Sequence, residues 1–209
     1  MILTSTSFIF FFILVAGIYF VLPYRLRWVW LLGSSYFFYM AWKPLYLFLL
    51  VGATLITYLS ALAMGREGLE SKRKAYFILC VGSNVGVLFL FKYFNFFNDF
   101  LGTLFGPSYS VPGLDLLLPI GLSFYIFKSI SYGIDVYQGD QKPENHFGRF
   151  ALYVAFFPQL LAGPIERATR LLPQFYQRFP FDYKRVTDGI KWMLWGFFQK
   201  MVIADNLAR

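Results

Sequence analysis

Long apolar runs alternate with short polar connections along this chain, a pattern typical of a protein that crosses a membrane several times. Three runs, residues 1–24, 44–65 and 75–91, contain no charged residue. Each is close to the roughly 20 residues that cross a bilayer as a helix. The pattern predicts an all-α fold, a polytopic bundle of transmembrane helices.

The remaining apolar stretches are shorter, more aromatic or interrupted by proline. We expect an irregular loop at residues 106–113, where glycine and proline cluster, and a polar segment with short interfacial helices at residues 166–191. Whether stretches 28–42 and 150–165 cross fully or turn back within the membrane stays open. The expected helices cover about residues 8–22, 28–42, 45–64, 75–92, 116–137 and 150–165, and a seventh begins at Trp192.

The sixth stretch contains Pro158 and then Gly163-Pro164. Proline removes a backbone donor and clashes with the preceding helical turn, so we expect the helix to kink or break there. A broken helix is tolerated at membrane depth only where protein or a water-filled cavity covers the freed backbone groups. The sequence therefore predicts a broken or re-entrant element.

Composition supports the membrane assignment. The chain is 58% hydrophobic and 14% charged, and its mean hydropathy is +0.55, whereas soluble domains are about 45–50% apolar and about 25% charged. The net charge of +8 comes from residues in short connections, which favours lipid headgroups over nucleic acid as the partner. We expect one membrane domain over residues 1–209, with the single cysteine, Cys80, packed as a small apolar residue.

Lysine and arginine are distributed unevenly between alternate connections. The N-terminus and residues 97–115 contain none, and the connection after the second stretch has only Lys43. By the positive-inside rule, we expect the N-terminus outside and the loop at residues 66–74 in the cytoplasm. The opposite set of connections holds Arg25, Arg27, Arg66, Lys72, Arg73, Lys74, Lys142 and Arg149.

Ionisable residues inside a membrane are functional candidates because burying a charge in lipid is costly. The fifth stretch places Lys128, Ser131, Tyr132 and Asp135 on one helical face, which should point toward protein or water. Lys128 and Asp135 are two turns apart, roughly 10 Å along the axis, so we expect each to have a partner on another element.

The broken sixth stretch adds Gln159, Glu166 and Arg167 at one membrane boundary. Together with Lys128, Ser131 and Asp135, they are our candidates for lining a substrate passage. His146, the single histidine, lies in a hydrophilic loop and is expected to be a solvated loop residue, not a general base. The sequence contains no paired-histidine metal spacing, nucleophile elbow or glycine-rich phosphate loop, so we expect no metal.

Three segments, in order, resemble a known family. The first is residues 118–125 continuing to 131–137, the second is residues 157–165 with 171–175, and the third is residues 196–205. In this order and spacing the chain resembles the bacterial membrane-bound O-acyltransferases, in the branch that includes the alginate O-acetylation membrane protein. The likeness extends over essentially the whole chain.

The resemblance implies a membrane-embedded enzyme of the bacterial inner membrane. Such enzymes move an acyl group, often acetyl, from a cytoplasmic donor such as acetyl-CoA to hydroxyls of an exported polysaccharide, with periplasmic partner proteins. Family members are about twice this long, and their catalytic histidine would follow Arg209. The chain therefore resembles the N-terminal half of such an enzyme, inactive alone, with no bound cofactor.

Two other interpretations remain open from the residues themselves. The chain could be a truncated, non-catalytic membrane scaffold. Alternatively, it could belong to a transporter in which Lys128 and Asp135 relay a proton or a substrate. A transporter predicts two related halves of inverted topology, and the sequence shows no internal repeat.

Overall fold

The computed structural model describes residues 5–66, 68, 70–105, 118–161 and 163–207, and across these residues it contains helices and no strand. The all-α prediction is thereby confirmed for this part of the chain, while the irregular loop expected at residues 106–113 lies outside it. The helices are α1 (Thr6–Val21), α2 (Tyr24–Met40), α3 (Tyr46–Met64), α4 (Arg73–Leu88), α5 (Phe94–Phe105), α6 (Leu122–Gln138), α7 (Phe147–Ala155), α8 (Phe157–Leu160), α9 (Ala168–Leu171), α10 (Tyr183–Phe198) and α11 (Asp205–Leu207).

Two helices within the described ranges are long and apolar enough to cross a membrane. They are α3, with a mean hydropathy of 2.1, and a continuous helix over Arg73–Leu101, with a mean hydropathy of 1.8. The fourth stretch was expected to fade after Lys92, and this boundary is wrong because a π-helical turn, Phe89–Tyr93, joins α4 directly to α5. α1 is apolar but shorter.

The chain divides into two compact units, and the boundary between them falls inside α2. The central unit comprises residues 31–176, and the terminal unit comprises residues 1–30 and 177–209. In the central unit α3, α4 and α6 pack against one another, and α7 packs on α3 and α6. One membrane domain over residues 1–209 stays a prediction.

The contact between α4 and α6 is unusually close at Gly133. A Cβ atom at this position would lie 2.7 Å from the Cys80 sulfur, and Cys80 is fully buried. This confirms that Cys80 packs as a small core residue. A buried hydrogen bond of 2.9 Å, donated by the Asn84 amide to the Thr57 hydroxyl, joins α4 to α3.

The sixth apolar stretch is broken, as its prolines predict. α7 ends at Ala155, α8 covers only Phe157–Leu160, and residues 163–167 are not helical. The Phe157 amide, which begins α8, donates to the Ser35 hydroxyl of α2 at 3.2 Å. A buried side chain thus satisfies a backbone group that the break leaves unpaired.

The polar segment at residues 166–191 was expected to be a loop with short helices and is so only in its first part. α9 and a 3₁₀ turn, Leu172–Tyr176, occupy that part, but α10 begins at Tyr183 instead of Trp192. The Asp182 carboxylate accepts from the Arg185 amide at 2.9 Å and caps the helix. The apolar run therefore misplaced the start of this helix by more than two turns.

Candidate functional site

The start of α6 is fixed against the broken segment by Gly121. This residue has φ +76°, and a Cβ atom there would lie 2.4 Å from the Leu160 carbonyl oxygen. Glycine is required for two reasons, because a side chain would strain the backbone and would also collide with α8. The polar face of α6 is consequently held beside α8.

Lys128 is the central residue of this polar face and is only 1% exposed. Its ammonium group donates to the Gln159 side-chain oxygen at 2.6 Å and to the Tyr153 carbonyl oxygen at 3.2 Å. The ammonium nitrogen also lies 5.2 Å from the centre of the Tyr153 ring, within the range of a cation–π contact. Lys128 has its partners on the broken sixth stretch, as expected for a partner on another element.

Gln159 connects this lysine to a carboxylate. Its side-chain nitrogen donates to the Glu166 carboxylate at 2.7 Å. The orientation of the amide follows from its neighbours, because an ammonium group can only donate and an ionised carboxylate can only accept. Within the described residues, no carboxylate lies within 4.0 Å of the Lys128 ammonium group. The neutral side-chain amide of Gln159 therefore lies between the Lys128 ammonium group and the Glu166 carboxylate.

Tyr153 completes the arrangement. Its hydroxyl donates to the Glu166 carbonyl oxygen at 3.1 Å and approaches the Lys128 carbonyl oxygen at 3.5 Å. It is fully buried, and its position inside an apolar run gave no signal of a polar role. We refer to Lys128, Tyr153, Gln159 and Glu166 as the Lys128 cluster.

The other three candidates do not join this cluster through hydrogen bonds. Ser131 is half-buried on α6. Asp135 is buried, and its Oδ2 atom has no hydrogen-bond partner among the described residues. Arg167 is exposed and acts on Asp135 electrostatically, without a described ion pair within 4.0 Å. The structure therefore brings together Lys128, Gln159 and Glu166, and Lys128 is not paired with Asp135.

His146 has a structural role that the sequence did not indicate. His146 lies in the loop before α7, as expected, but it is half-buried and caps the helix. Its Nδ1 atom accepts from the Arg149 amide at 3.3 Å. Glu144 holds this turn by accepting from the His146 amide at 2.8 Å and from the Tyr176 hydroxyl at 2.6 Å.

The Lys128 cluster can hold a positive charge at a fixed position in a water-poor environment. A preorganised charge of this kind acts strongly because low polarity weakens screening. Lys128 is too enclosed to contact a substrate directly in this conformation, and its hydrogen bonds hold the broken segment against α6. In the described part of the chain, no group of three His, Cys, Asp or Glu side chains could hold a metal ion.

The sequence is similar to several named bacterial proteins. "Probable alginate O-acetylase AlgI" of Pseudomonas putida is 39% identical over the whole chain, which covers 44% of that protein. The protein of the same name in Pseudomonas aeruginosa is 38% identical over the whole chain and 41% of its own length. The "Peptidoglycan O-acetyltransferase" of Helicobacter pylori is 32% identical over 86% of the chain and 39% of its own length.

The chain spans less than half the length of these relatives. No protein-family model and no solved structure matches it.

Proposed function

The chain is an AlgI-like relative within the membrane-bound O-acyltransferases, and from this premise we propose that the protein to which it belongs is a membrane O-acetyltransferase. The observation that carries the proposal is the 39% identity to a named O-acetylase along the whole chain. The names of the relatives specify alginate and peptidoglycan. We propose a hydroxyl-bearing exported polysaccharide or similar polymer as the acceptor.

The proposed reaction is acetyl transfer from a thioester such as acetyl-CoA. The acceptor hydroxyl oxygen forms a bond to the acetyl carbonyl carbon, and the carbon–sulfur bond breaks. A general base takes the hydroxyl proton, which finally reaches the departing thiolate. The resemblance assigns this base to a histidine outside the 209 residues, and we retain that assignment in place of His146.

The proposed setting is a bacterial inner membrane with the chain crossing it several times. The uneven distribution of lysine and arginine supports an N-terminus outside and the loop at residues 66–74 in the cytoplasm. The donor would then approach from the cytoplasm and the acceptor from the outside, where further partner proteins would deliver it. We propose that the broken segment after α7 forms part of the wall of the connecting passage, where irregular backbone is tolerated.

The role proposed for the Lys128 cluster is positioning. Gln159 and Glu166 belong to the broken segment, and their link to Lys128 holds that segment against α6. Ser131, Asp135 and Arg167 are proposed as neighbouring wall residues. A displacement of about 1 Å in such a wall can reduce a rate by about a hundredfold, so the cluster would influence turnover without taking part in proton transfer.

The test uses the full-length natural protein in membrane vesicles supplied with radiolabelled acetyl-CoA and an acceptor polymer. Base-labile acetate on the polymer is the product to be measured. We expect transfer by the wild type and by Lys191→Met, an exposed control on α10. Lys128→Met, Asp135→Asn and Arg167→Ala should lower kcat at normal expression, and Lys128→Arg should restore part of it.

Failure of the wild type to acetylate alginate, peptidoglycan fragments or other hydroxyl polymers above the level of empty vesicles would overturn the proposed function. Unchanged kcat in all three variants would leave the activity standing but remove the proposed roles of the Lys128 cluster and of the passage wall.

A further inference from the structure

An apolar groove runs between α1 and α10 in the terminal unit. Its volume is about 380 Å³. Every residue that lines it is apolar, and aromatic rings from both helices contribute to its walls. The lining includes Phe8, Phe12 and Gly17 of α1 and Ile190, Leu194 and Phe197 of α10.

A second cavity of about 310 Å³ adjoins this groove and is chemically different. The two cavities share Phe20 and Val186, but the second is also lined by the charged side chains of Arg185 and Asp182. The Phe20 ring meets the Phe181 ring edge-on, with 5.3 Å between centroids, at the junction. Together the cavities form one largely apolar site whose far end includes Arg185 and Asp182, and we call this end the polar end.

The two chain segments that form the polar end carry an excess of positive charge, although the cavity itself is lined by one arginine and one aspartate. Residues 19–27 and 177–187 contain five basic side chains and one acidic side chain. Arg27 is fixed by donating to the carbonyl oxygens of Phe179 at 2.7 Å and Leu22 at 3.1 Å. These carbonyls are neutral, and among the described residues no carboxylate lies within 4.0 Å of the Arg27 guanidinium.

Two further arginines of these segments rest on aromatic rings: Arg185, which lines the second cavity, and Arg178, which directly precedes the lining residue Phe179. The Arg178 guanidinium lies 5.1 Å from the centre of the Tyr24 ring, and that of Arg185 lies 5.7 Å from the centre of the Phe179 ring. Such contacts leave guanidinium N–H groups available to an anion. Among the described residues, no carboxylate lies within 4.0 Å of either guanidinium group.

We propose that the terminal unit binds one anionic phospholipid, with an acyl chain in the groove and the phosphate against Arg178 and Arg185. The apolar part matches a hydrocarbon chain, and the basic end matches a phosphodiester. Basic pockets next to membrane helices recognise anionic headgroups in this way, and planar guanidinium groups bind phosphate through paired hydrogen bonds. The inference does not depend on the proposed acetyl transfer.

Gly17 allows the groove to be closed without disturbing its neighbours. A Cβ atom at Gly17 would have no heavy atom within 4 Å, and this glycine lines the groove, so Gly17→Leu should place a side chain where the lipid tail would lie. Gly189 is the matched control, because its Cβ position is equally open and it does not line the groove.

The experiment is native mass spectrometry of the full-length protein with phosphatidylglycerol or phosphatidylcholine of identical acyl chains. We expect the wild type to retain one phosphatidylglycerol and to bind it more tightly than phosphatidylcholine. Arg178→Gln with Arg185→Gln should weaken phosphatidylglycerol binding by about thirtyfold, since each charge near anionic lipid contributes roughly a factor of five. Gly17→Leu should abolish retention, and Gly189→Leu should not.

Lys191→Gln with Lys200→Gln removes the same charge from side chains that already face Asp188 and Asp205, so it should leave binding unchanged. Equal retention of the two lipids would overturn the proposal, as would equal losses in the arginine and lysine pairs. Retention of no lipid by well-folded wild type, with the groove occupied by a second copy or by a further segment of the protein, would also overturn it. Thermal unfolding of the wild type in each lipid gives a readout independent of any variant.

Discussion

α6 and α10 are helices of similar length that carry opposite arrangements of polar and apolar side chains. α6 has nine buried residues, including Lys128 and Asp135, whereas α10 has none. On α10 most of the large apolar residues are exposed, with Trp192 74% and Leu194 62% accessible. In a membrane protein polar groups face the protein interior and apolar groups can face lipid, and the two helices differ in this sense.

The lysine residues of the two helices also have different surroundings. Lys191 of α10 pairs with the carboxylate of Asp188 at 3.4 Å, with both side chains largely exposed. Lys128 of α6 is buried and is held by a neutral amide and a carbonyl oxygen. Removal of one partner is nearly neutral at an exposed pair but leaves unsatisfied polar groups at a buried one. The following predictions, ordered by expected size, test this difference.

The largest effect is expected from glycine replacement at the start of α6. Gly121→Ala should destabilise the protein by about 3 kcal/mol, because a Cβ atom there meets a backbone oxygen and because φ is positive. Gly189→Ala on α10 should be neutral or slightly stabilising, since its Cβ position is open. Thermal unfolding in detergent measures both, and equal melting temperatures for the two variants would contradict the prediction.

Lys128→Met should destabilise the protein by about 2–3 kcal/mol, because the buried oxygens of Gln159 and Tyr153 lose their donor. Lys191→Met should change stability by less than about 0.5 kcal/mol. Melting temperatures at two salt concentrations test the pair. A loss that is as large for Lys191→Met as for Lys128→Met would remove the distinction between the two helices.

Exchanging the Gln159 amide and the Glu166 carboxylate should show whether the two residues are energetically coupled. Gln159→Glu places a second carboxylate against Glu166 and should cost about 2 kcal/mol. Adding Glu166→Gln restores the number of charges and donors, so the double variant should recover at least about 1 kcal/mol. Additive losses in this double-mutant cycle would mean that the two residues act independently.

The smallest effect concerns the caps of α8 and α10. Ser35→Ala removes the buried acceptor of the Phe157 amide and should cost about 1–2 kcal/mol. Asp182→Ala removes an exposed cap from α10 and should cost about 0.5–1 kcal/mol. Hydrogen exchange at the first turn of each helix distinguishes them, and faster exchange in the Asp182 variant alone would contradict the expected order.

The hydrophobic pattern of the sequence predicted where most helices lie, but it did not predict which side chains contact one another between helices. Residues 45–64 and the break at Pro158 were readable because run length and proline chemistry are local properties. The sequence marked Lys128, Gln159 and Glu166 separately, but nothing in it sets the register at which α8 meets α6, so their connection was not predictable. Tyr153 was missed because a buried tyrosine inside an apolar run resembles any other core aromatic residue.

One wrong boundary and one missed role came from overlooking helix caps. The start of α10 was placed at the first tryptophan of an apolar run. Asp182 lies three residues before Arg185, and its carboxylate accepts a hydrogen bond from the Arg185 amide. His146 was assigned to a loop, where it does lie, but its capping of α7 was not predicted. In both cases a side chain that satisfies free backbone amides decides the boundary, and hydropathy does not report it.

Arg73 at the start of α4 has a consequence for the order of assembly. Its guanidinium donates to the Tyr137 carbonyl oxygen at 2.8 Å, across 64 residues of chain, and to that of Val136 at 3.2 Å. During synthesis α3 and α4 are complete before these carbonyls exist, so we expect the arginine to remain near the lipid headgroups until α6 is inserted. Arg73 is one of the charges that we expect to orient the nascent chain. The same side chain would then hydrogen-bond to the end of α6, so that it contributes first to insertion and later to packing.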